Sequence, residues 1–210
     1  MRKAIVLVVL PLASLLVAQE LKPIELPPPQ TEGGKPLMQA LKERKSSREF
    51  STRPLPPQVL SNLLWAAFGV NRPDGRRTAP SARNMQEIEI YVALPEGLYL
   101  FDAKAHKLNP VVAEDLRAAT GTQPFVGQAP VNLIYVADYA RMGQQDEQTK
   151  AFYSAADTGF IAQNVYLFCA SEGLATVVRA LVDRDKLAAR MKLRPEQRIV
   201  LAQTVGYPPK

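Results

Sequence analysis

The longest regular element that the sequence predicts is a helix over about residues 149–172, closed by Gly173. Apolar side chains cover nearly every side of its second half. A helix of this composition has to be buried, either at the centre of a fold or against another subunit. Asp157, Gln163 and Asn164 within it argue against a membrane span. The rest of the chain must therefore supply a surface on which this helix packs.

The other segments predict a mixture of helices and strands around that helix. Helical spacing, prolines and capping residues predict shorter helices at residues 37–44, 57–68, 111–119 and 183–191. Apolar, β-branched runs predict strands at residues 88–94, 98–102, 131–137 and 199–205. The connections include hairpin-like turns and long loops, which favours an α+β sandwich over a regular βαβ alternation.

Composition excludes several classes of function. The 210 residues are 47% apolar, which is typical of one folded domain and excludes a disordered chain. The net charge of +6 is too small to indicate nucleic-acid binding. With a single cysteine, Cys169, and a single histidine, His106, the chain has neither an internal disulfide nor a conventional zinc site. We expect Cys169 to be a buried, inert thiol and His106 to lie on an exposed strand or turn.

The first 18 residues have the composition of a secretory signal. Arg2 and Lys3 precede an apolar run that carries no charge before Glu20, and Ala18 is the residue before the expected cleavage site. We therefore expect an exported protein, periplasmic or secreted, with no stable membrane insertion after the signal is removed. An uncleaved N-terminal anchor is the alternative, because the run is only slightly shorter than a spanning helix needs.

Residues 19–36 are rich in proline and glycine. This composition predicts an extended tether between the signal and the fold. The alternative is an ordered arm that wraps over the domain or over a partner subunit. The folded domain is predicted to span residues 37–210.

Residues 44–50, Arg-Lys-Ser-Ser-Arg-Glu-Phe, directly follow the first predicted helix. Three cations and two hydroxyls within five residues provide several donors that can converge on one small anion, such as a phosphate ester. A solvated basic turn is the alternative for this segment taken alone. The interpretation therefore depends on whether other segments complete a site.

Three other segments offer polar side chains or extended backbone. Residues 80–86, Pro-Ser-Ala-Arg-Asn-Met-Gln, form a polar loop before a predicted strand and suit the polar edge of a heterocycle. Residues 173–179 form an extended segment after the long helix. Residues 206–210, Gly-Tyr-Pro-Pro-Lys, follow the last strand and end in a cation. Taken singly, these segments are a polar loop, a buried strand and a chain terminus.

Taken together and in this order, the four segments resemble the landmarks of the nitroreductase-type flavoproteins. Residues 44–50 resemble the family's Arg-Arg-Ser-x-Arg-x-Phe box, and Pro-Ser-Ala-x-Asn, the Gln163-Asn164 pair and the closing Gly-Tyr-Pro resemble its later motifs. The resemblance covers residues 37–210. The segment 173–178, Gly-Leu-Ala-Thr-Val-Val, is most similar to the branch of azoline-oxidising dehydrogenases, which form thiazoles and oxazoles.

The resemblance implies a three-layer α/β/α sandwich with a mainly antiparallel central sheet. It also implies a homodimer that binds FMN at the subunit interface, with both chains lining the pocket. The residues implied to hold FMN are Arg44, Lys45, Ser46, Arg48, Ser81, Asn84, Val178, Arg179 and Lys210. Of these, Arg48 is expected near the pyrimidine edge of the ring, and Val178 and Arg179 are expected to pass the hydride-accepting nitrogen with their backbone.

No catalytic side chain is identified, because the resemblance implies chemistry centred on the flavin. Arg83 stands where related sequences often have a small residue, so it is a candidate for reaching into the substrate pocket. Phe125 and Tyr153 are further candidates for lining the substrate face. The chain ends at Lys210, so this residue is the one candidate for the cation that follows Gly-Tyr-Pro in the family.

The function implied by the resemblance is an FMN-dependent oxidoreductase with a small organic substrate and a ping-pong mechanism. Export conflicts with NAD(P)H as the reductant, because NAD(P)H is cytoplasmic. The alternatives are a non-catalytic flavin- or ligand-binding subunit of an exported modification complex, and a structural partner whose cofactor site is empty.

Overall fold

The centre of the molecule is an antiparallel sheet. The structure, a computed structural model, describes residues 20–209, so the predicted signal and Lys210 lie outside it. The strands are Ile24–Glu25 (β1), Ile88–Leu94 (β2), Gly97–Asp102 (β3), Lys107–Val112 (β4), Val131–Asp138 (β5), Ala175–Arg179 (β6) and Gln197–Gly206 (β7). They lie in the order β1-β4-β3-β2-β5-β7-β6, and all neighbouring pairs are antiparallel.

Helices cover both faces of this sheet. Within residues 20–209 the α-helices are Leu37–Glu43 (α1), Pro57–Phe68 (α2), Glu147–Glu172 (α3) and Arg184–Met191 (α4). Helices α2 and α3 pack in one core with alternate strand residues such as Ile90 and Leu133. Leu187 of α4 packs on the opposite face with Ile134. Because successive strand residues point to opposite faces, the result is the expected three-layer α/β/α sandwich.

Local sequence signals set the ends of the helices. Helix α2 begins at the second of two prolines, where the missing N–H is harmless, and ends before Gly69. Asp146 starts α3 by accepting a hydrogen bond from Thr149 N at 2.8 Å. Gly173 ends α3 in left-handed backbone with a φ of 69°. Asp183 caps the start of α4 in the same way as Asp146 caps α3.

Helix α3 buries one side against the sheet and the neighbouring helices. Ile161, Val165 and Cys169 on that side are at most 1% exposed. Phe152 and Phe160 on other sides are 69% and 50% exposed in the single chain. The prediction of a long buried helix is therefore met on the sheet side, while two aromatic side chains remain uncovered. Over residues 20–209, none of the helices combines the length and the apolar character that crossing a membrane requires.

Residues 20–36 lie along the domain as an arm. Strand β1 of this arm pairs with β4 at the edge of the sheet. Ser61 Oγ of α2 donates a hydrogen bond to the Pro27 carbonyl at 2.6 Å, and His106 Nε2 lies 2.7 Å from the same Ser61 oxygen. Of the two arrangements open for this segment, the structure therefore has the arm folded on its own domain.

One predicted element is wrong. The pattern at 111–119 predicts a short helix, but Lys107–Val112 forms strand β4, and a 3-10 turn follows at Arg117–Thr120. The tight turn between β3 and β4, in which His106 has a φ of 49°, directs the chain back along β3 as a hairpin. Pro110 is tolerated within β4 because β1 pairs only with the first two residues of that strand and leaves the edge open beyond them.

Replacing Ser61 by alanine measures how firmly the arm is held. The substitution removes a fully buried donor to the Pro27 carbonyl and the partner of His106. We expect the free energy of unfolding to fall by about 1–3 kcal/mol and proteolysis within residues 20–36 to become faster. Chemical denaturation and limited proteolysis check this. Thr52→Ala, at an exposed position, is the control, and equal behaviour of the two variants would contradict the prediction.

Candidate functional site

The cation-rich segment 44–50 leaves α1 and runs beside the edge strand β6. Ser47 N donates to the Thr176 carbonyl at 2.9 Å. Phe50 is 8% exposed and packs against Phe125, with the ring centroids 5.5 Å apart. One backbone contact and one buried aromatic ring therefore fix the segment against the sheet and leave its polar side chains at the surface of the domain.

A cavity of about 740 Å³ opens between this segment, the end of α3 and the start of β6. Pockets of roughly 300–1,000 Å³ are typical of sites for organic ligands and cofactors. Two predicted cofactor residues, Lys45 and Arg48, line the cavity. Tyr166, Thr176 and Pro208 contribute from α3, β6 and the C-terminal segment. The lining carries three cations and two carboxylates, those of Glu43 and Glu49, so its formal charge is slightly positive, and its size suits an organic ligand.

The N-terminal arm contributes Lys35 to the wall of the same cavity. Lys35 N donates to Ser171 Oγ at 2.8 Å, and Lys35 Nζ lies 2.6 Å from the Glu43 carboxylate. Hydrogen bonds from Lys35 and from Gln39 hold the pKa of the Glu43 carboxyl below its usual value. This pairing occupies Lys35, so Lys45 and Arg48 are the cations of the lining without such an ion pair within residues 20–209.

Tyr166 joins the cation-rich segment to strand β6. Its hydroxyl accepts a hydrogen bond from Val178 N at 3.0 Å and lies 2.8 Å from Ser46 Oγ. The Arg44 guanidinium lies over its ring, 5.2 Å from the centroid. The two hydroxyl groups have two hydrogens between them and use one for their mutual bond. One hydroxyl hydrogen is therefore left for a ligand.

The Arg179 side chain points into the domain and away from the cavity. Its guanidinium donates to the Thr120 carbonyl at 2.7 Å, to Asn132 Oδ1 at 3.0 Å and to Thr204 Oγ1 at 3.1 Å. Burial lowers the pKa of this guanidinium to about 10, so it stays charged at neutral pH. Only the backbone of Arg179 is left for a ligand, which is the contact that the family resemblance implies.

The polar loop before β2 lies beside the middle of α3. Ala82 N donates to Asp157 Oδ2 at 2.9 Å. The Gln86 backbone N–H donates to Ser81 Oγ at 3.1 Å, and its side-chain amide donates to Asn84 Oδ1 at 3.0 Å. Asn84 and Gln86 also line a second cavity of about 510 Å³. Bonds within the loop therefore fix the two predicted residues, Ser81 and Asn84.

Three residues of this loop have left-handed backbone. Arg83, Asn84 and Gln86 have φ values of 52°, 55° and 50°. Non-glycine residues adopt this conformation rarely, and it concentrates at functional sites where surrounding contacts hold it. Arg83, the candidate pocket residue, is exposed on this turn.

Within one chain the predicted site residues fall into two groups, one around Tyr166 and one in the polar loop. Arg44 and Ser46 contact Tyr166, whereas the polar loop contacts Asp157. Asp157 and Tyr166 are nine positions apart, which corresponds to about 14 Å along α3. The single chain therefore does not bring the two groups into one cavity.

The two loosely predicted pocket residues lie on different sides of this division. Tyr153 lies one helical turn before Asp157, on the same side of α3 as the polar loop. Phe125 packs behind the cation-rich segment through Phe50. Neither Tyr153 nor Phe125 lines the 740 Å³ cavity.

Sequence reasoning missed Tyr166 as a site residue. The pattern assigned it only to the apolar surface of the long helix. A buried tyrosine hydroxyl needs a hydrogen-bond partner, and this requirement is the signal that distinguishes Tyr166 from its leucine and phenylalanine neighbours. No signal in the sequence indicates which residues satisfy it, because Ser46 is 120 residues away.

Cys169 lines the cavity as a free, buried thiol. Burial raises the pKa of the Cys169 thiol well above its usual value, so this thiol is not reactive. Among residues 20–209, no group of three or more His, Cys, Asp or Glu side chains could hold a metal ion.

Comparisons with known proteins agree on one family. The model of the nitroreductase family matches residues 41–207. A protein of Methanocaldococcus jannaschii described as a nitroreductase is 36% identical over 160 residues, which cover 71% of this chain and 81% of that protein. A crystal structure from Ralstonia eutropha, of a protein described in the same way, has a TM-score of 0.87 and 45% identity, covering 98% of this chain and 97% of that one. The chain belongs to the nitroreductase family, whose members are typically flavin-dependent oxidoreductases.

A more distant structure shares the fold alone. The NADPH:FMN oxidoreductase of Vibrio harveyi, complexed with NAD⁺, has a TM-score of 0.63 and 19% identity, covering 83% of this chain and 69% of that one. The α+β sandwich is therefore shared by proteins of low sequence identity.

Replacing Tyr166 by phenylalanine separates its hydroxyl from its ring. Val178 N–H loses its acceptor and Ser46 loses its partner, while the ring beneath Arg44 remains. We expect the free energy of unfolding to fall by about 1–3 kcal/mol and the Val178 amide to exchange faster with solvent. Denaturant titration and hydrogen exchange followed by NMR measure both. Tyr153→Phe on the same helix is the control, and unchanged exchange at Val178 would show that the bond is unimportant.

Proposed function

We propose that the protein is an FMN-dependent oxidoreductase that transfers hydride between a small organic substrate and bound flavin by a ping-pong mechanism. The observation that carries the proposal is the 740 Å³ cavity, which Lys45, Arg48 and Tyr166 line in a chain of the nitroreductase family. Members of this family usually bind flavin.

The predicted residues around Tyr166 fit the phosphate end of FMN. In the proposed site Arg44, Lys45 and Ser46 hold the phosphate and the ribityl chain, and Lys210 adds a further cation. A phosphate monoester carries between one and two negative charges at neutral pH, so charge-assisted hydrogen bonds to it are strong. The hydroxyl hydrogen that the Ser46–Tyr166 bond leaves unused suits a ribityl oxygen.

In the proposed site Arg48 lies near the pyrimidine edge of the ring. A flavin held there would supply hydride acceptance and return, and its reduced form would carry more negative charge at this edge. A cation held there stabilises the reduced cofactor, and the chain otherwise contributes orientation and exclusion of water. The backbone of Val178 and Arg179 borders the hydride-accepting nitrogen.

We propose that a second copy of the chain completes this site. The division of the predicted residues into two groups about 14 Å apart along α3 supports a pocket lined by two chains. In this arrangement Ser81 and Asn84 of one chain reach the cofactor that the other chain holds. Large apolar side chains that are exposed on α1 and α3 support contact with another subunit: Leu37, Met38, Phe152 and Phe160.

We propose that the protein is exported, on the signal-like composition of residues 1–18. The physiological reductant is then not NAD(P)H. Either an exported substrate is oxidised directly, or the electrons come from a periplasmic or membrane donor. The similarity of residues 173–178 to the azoline-oxidising branch supports the first of these, a dehydrogenation of an azoline-like ring.

Replacing Lys45 by alanine tests the phosphate site. Loss of one charge-assisted hydrogen bond is expected to raise the Kd for FMN about tenfold or more. Arg72→Ala removes an exposed cation outside the cavity and is the matched control. Titration of the apoprotein followed by flavin fluorescence measures both. A wild-type protein that is colourless and ignores added FMN would overturn the proposal.

Turnover separates the oxidoreductase from a flavin-binding subunit without activity. Under anaerobic conditions, candidate azoline compounds and small-molecule reductants should bleach the bound flavin, and a separate acceptor should restore its spectrum. Parallel lines in double-reciprocal plots are expected for a ping-pong mechanism. A flavin that binds tightly but is reduced by none of these compounds would favour the binding subunit.

A further inference from the structure

Glu87 is a fully buried acid at the base of the polar loop. It directly precedes β2 and is 0% exposed. Within residues 20–209, neither oxygen of its carboxyl group meets a hydrogen-bond donor. An ionised carboxylate in this place would be both desolvated and unpaired, which is unfavourable.

The carboxyl group that acts on Glu87 is that of Asp157 on α3. Asp157 is itself only 2% exposed. Two ionised carboxylates repel each other, so a hydrogen bond between them requires a shared proton. Arg141 is the cation that also acts on Glu87, but it is already paired with Glu89 and Asp138. Burial, with the charge of Asp157 added, raises the pKa of Glu87 to about 7.

Asp157 also holds the strained turn of the loop. Its Oδ2 accepts the hydrogen bond from Ala82 N, directly before left-handed Arg83 and Asn84. Left-handed backbone at such residues persists only where neighbouring contacts hold it. The carboxyl pair is therefore joined by one bond to the part of the chain that the proposed function places on the cofactor.

We propose that Glu87 is kept as a neutral acid that donates a hydrogen bond to ionised Asp157, and that this pair positions the Ser81–Asn84 loop for the cofactor. Both are positioning residues, since they act through the loop. The role of the loop rests on the proposed function, whereas the protonation of Glu87 and its effect on the Ala82 bond do not.

The stability that neutral Glu87 contributes depends on pH. The folded-state pKa of Glu87, about 7, lies above its ordinary value of 4.5. The stability that the neutral acid contributes is therefore complete below about pH 4.5 and is lost as the pH rises through about 7. Above that pH a second negative charge faces Asp157, and the loop loosens.

Glu87→Gln tests this, because glutamine has the same shape, cannot ionise and still donates to Asp157. The main measurement is hydrogen exchange of the Ala82 amide in the apoprotein, corrected for intrinsic exchange. Between about pH 6 and 8.5 the wild type should lose roughly tenfold in protection, whereas Glu87→Gln should change less than about twofold. Glu96→Gln, at an exposed turn position, is the control and should follow the wild type.

Two other measurements give independent results. An infrared band of a protonated carboxyl group should be present at about pH 6 in the wild type and absent in Glu87→Gln. The Kd for FMN should rise with pH in the wild type, in step with the Ala82 exchange, and stay nearly constant in Glu87→Gln.

Each outcome decides a separate point. Equal pH dependence of Ala82 protection in the wild type and Glu87→Gln would overturn the inference, whatever FMN does. Wild-type protein that binds no FMN at about pH 6 but shows the expected exchange and infrared band would overturn the proposed function and leave the carboxyl pair standing. Protection of the Ala82 amide could depend on pH while the Kd for FMN does not. That result would show that the pair holds the loop without positioning it for the cofactor.

Discussion

The burial of helix α3 against the sheet is the interaction on which the rest of the structure depends. With 26 residues it is about 39 Å long, which is enough to cross the sheet. Its inner side closes the larger core against fully buried residues such as Leu63 of α2 and Tyr135 of β5. Apolar burial stabilises by about 25 cal/mol per Å². This interface therefore holds α3 in place on the sheet, and it also fixes the segments that are attached to α3. The position of the helix sets the positions of the cavity at the C-terminal end of α3 and of the polar loop beside its middle.

Two polar side chains of α3 attach the two halves of the candidate site. Tyr166 bonds to the backbone of β6 and to Ser46, and Asp157 bonds to the backbone of the polar loop at Ala82. Polar bonds in a buried setting are directional, and they are costly to leave unmade. The apolar contacts therefore set where the helix lies, and the polar contacts set the conformation of the segments that bind a ligand.

What could be predicted from the sequence depended on how local the signal was. The ends of α2 were predictable because prolines and Gly69 act within a few residues, and so was the capping of α4 by Asp183. The prediction of a helix at 111–119 was wrong because apolar residues at similar spacing fit both a helix turn and a strand. Pairing in the β3–β4 hairpin decided in favour of the strand.

Prediction of the candidate site was likewise limited to local signals. The motif order predicted that residues 44–50, 80–86, 173–179 and 206–210 belong together. Three of these segments line one cavity, whereas none of residues 80–86 lines it in the single chain. The bond between Tyr166 and Ser46 and the pairing of Glu87 with Asp157 were not predictable, because they join residues 70 or more positions apart on different elements. Such contacts are fixed by packing, and no short motif encodes them.

The two halves of the site also constrain how two copies can associate. In the proposed dimer, a two-fold axis beside α3, level with the midpoint between Asp157 and Tyr166, would bring the polar loop of one chain to the cation-rich segment of the other. At this midpoint Ile161 faces the core, whereas Phe160 is half exposed and available for contact with a second chain. An isologous interface of this kind makes two equivalent sites with one pair of helices. In the proposed dimer the proton shared by Glu87 and Asp157 in one chain therefore acts on the cofactor that its partner holds, so the two sites depend on each other through the helix that both halves share.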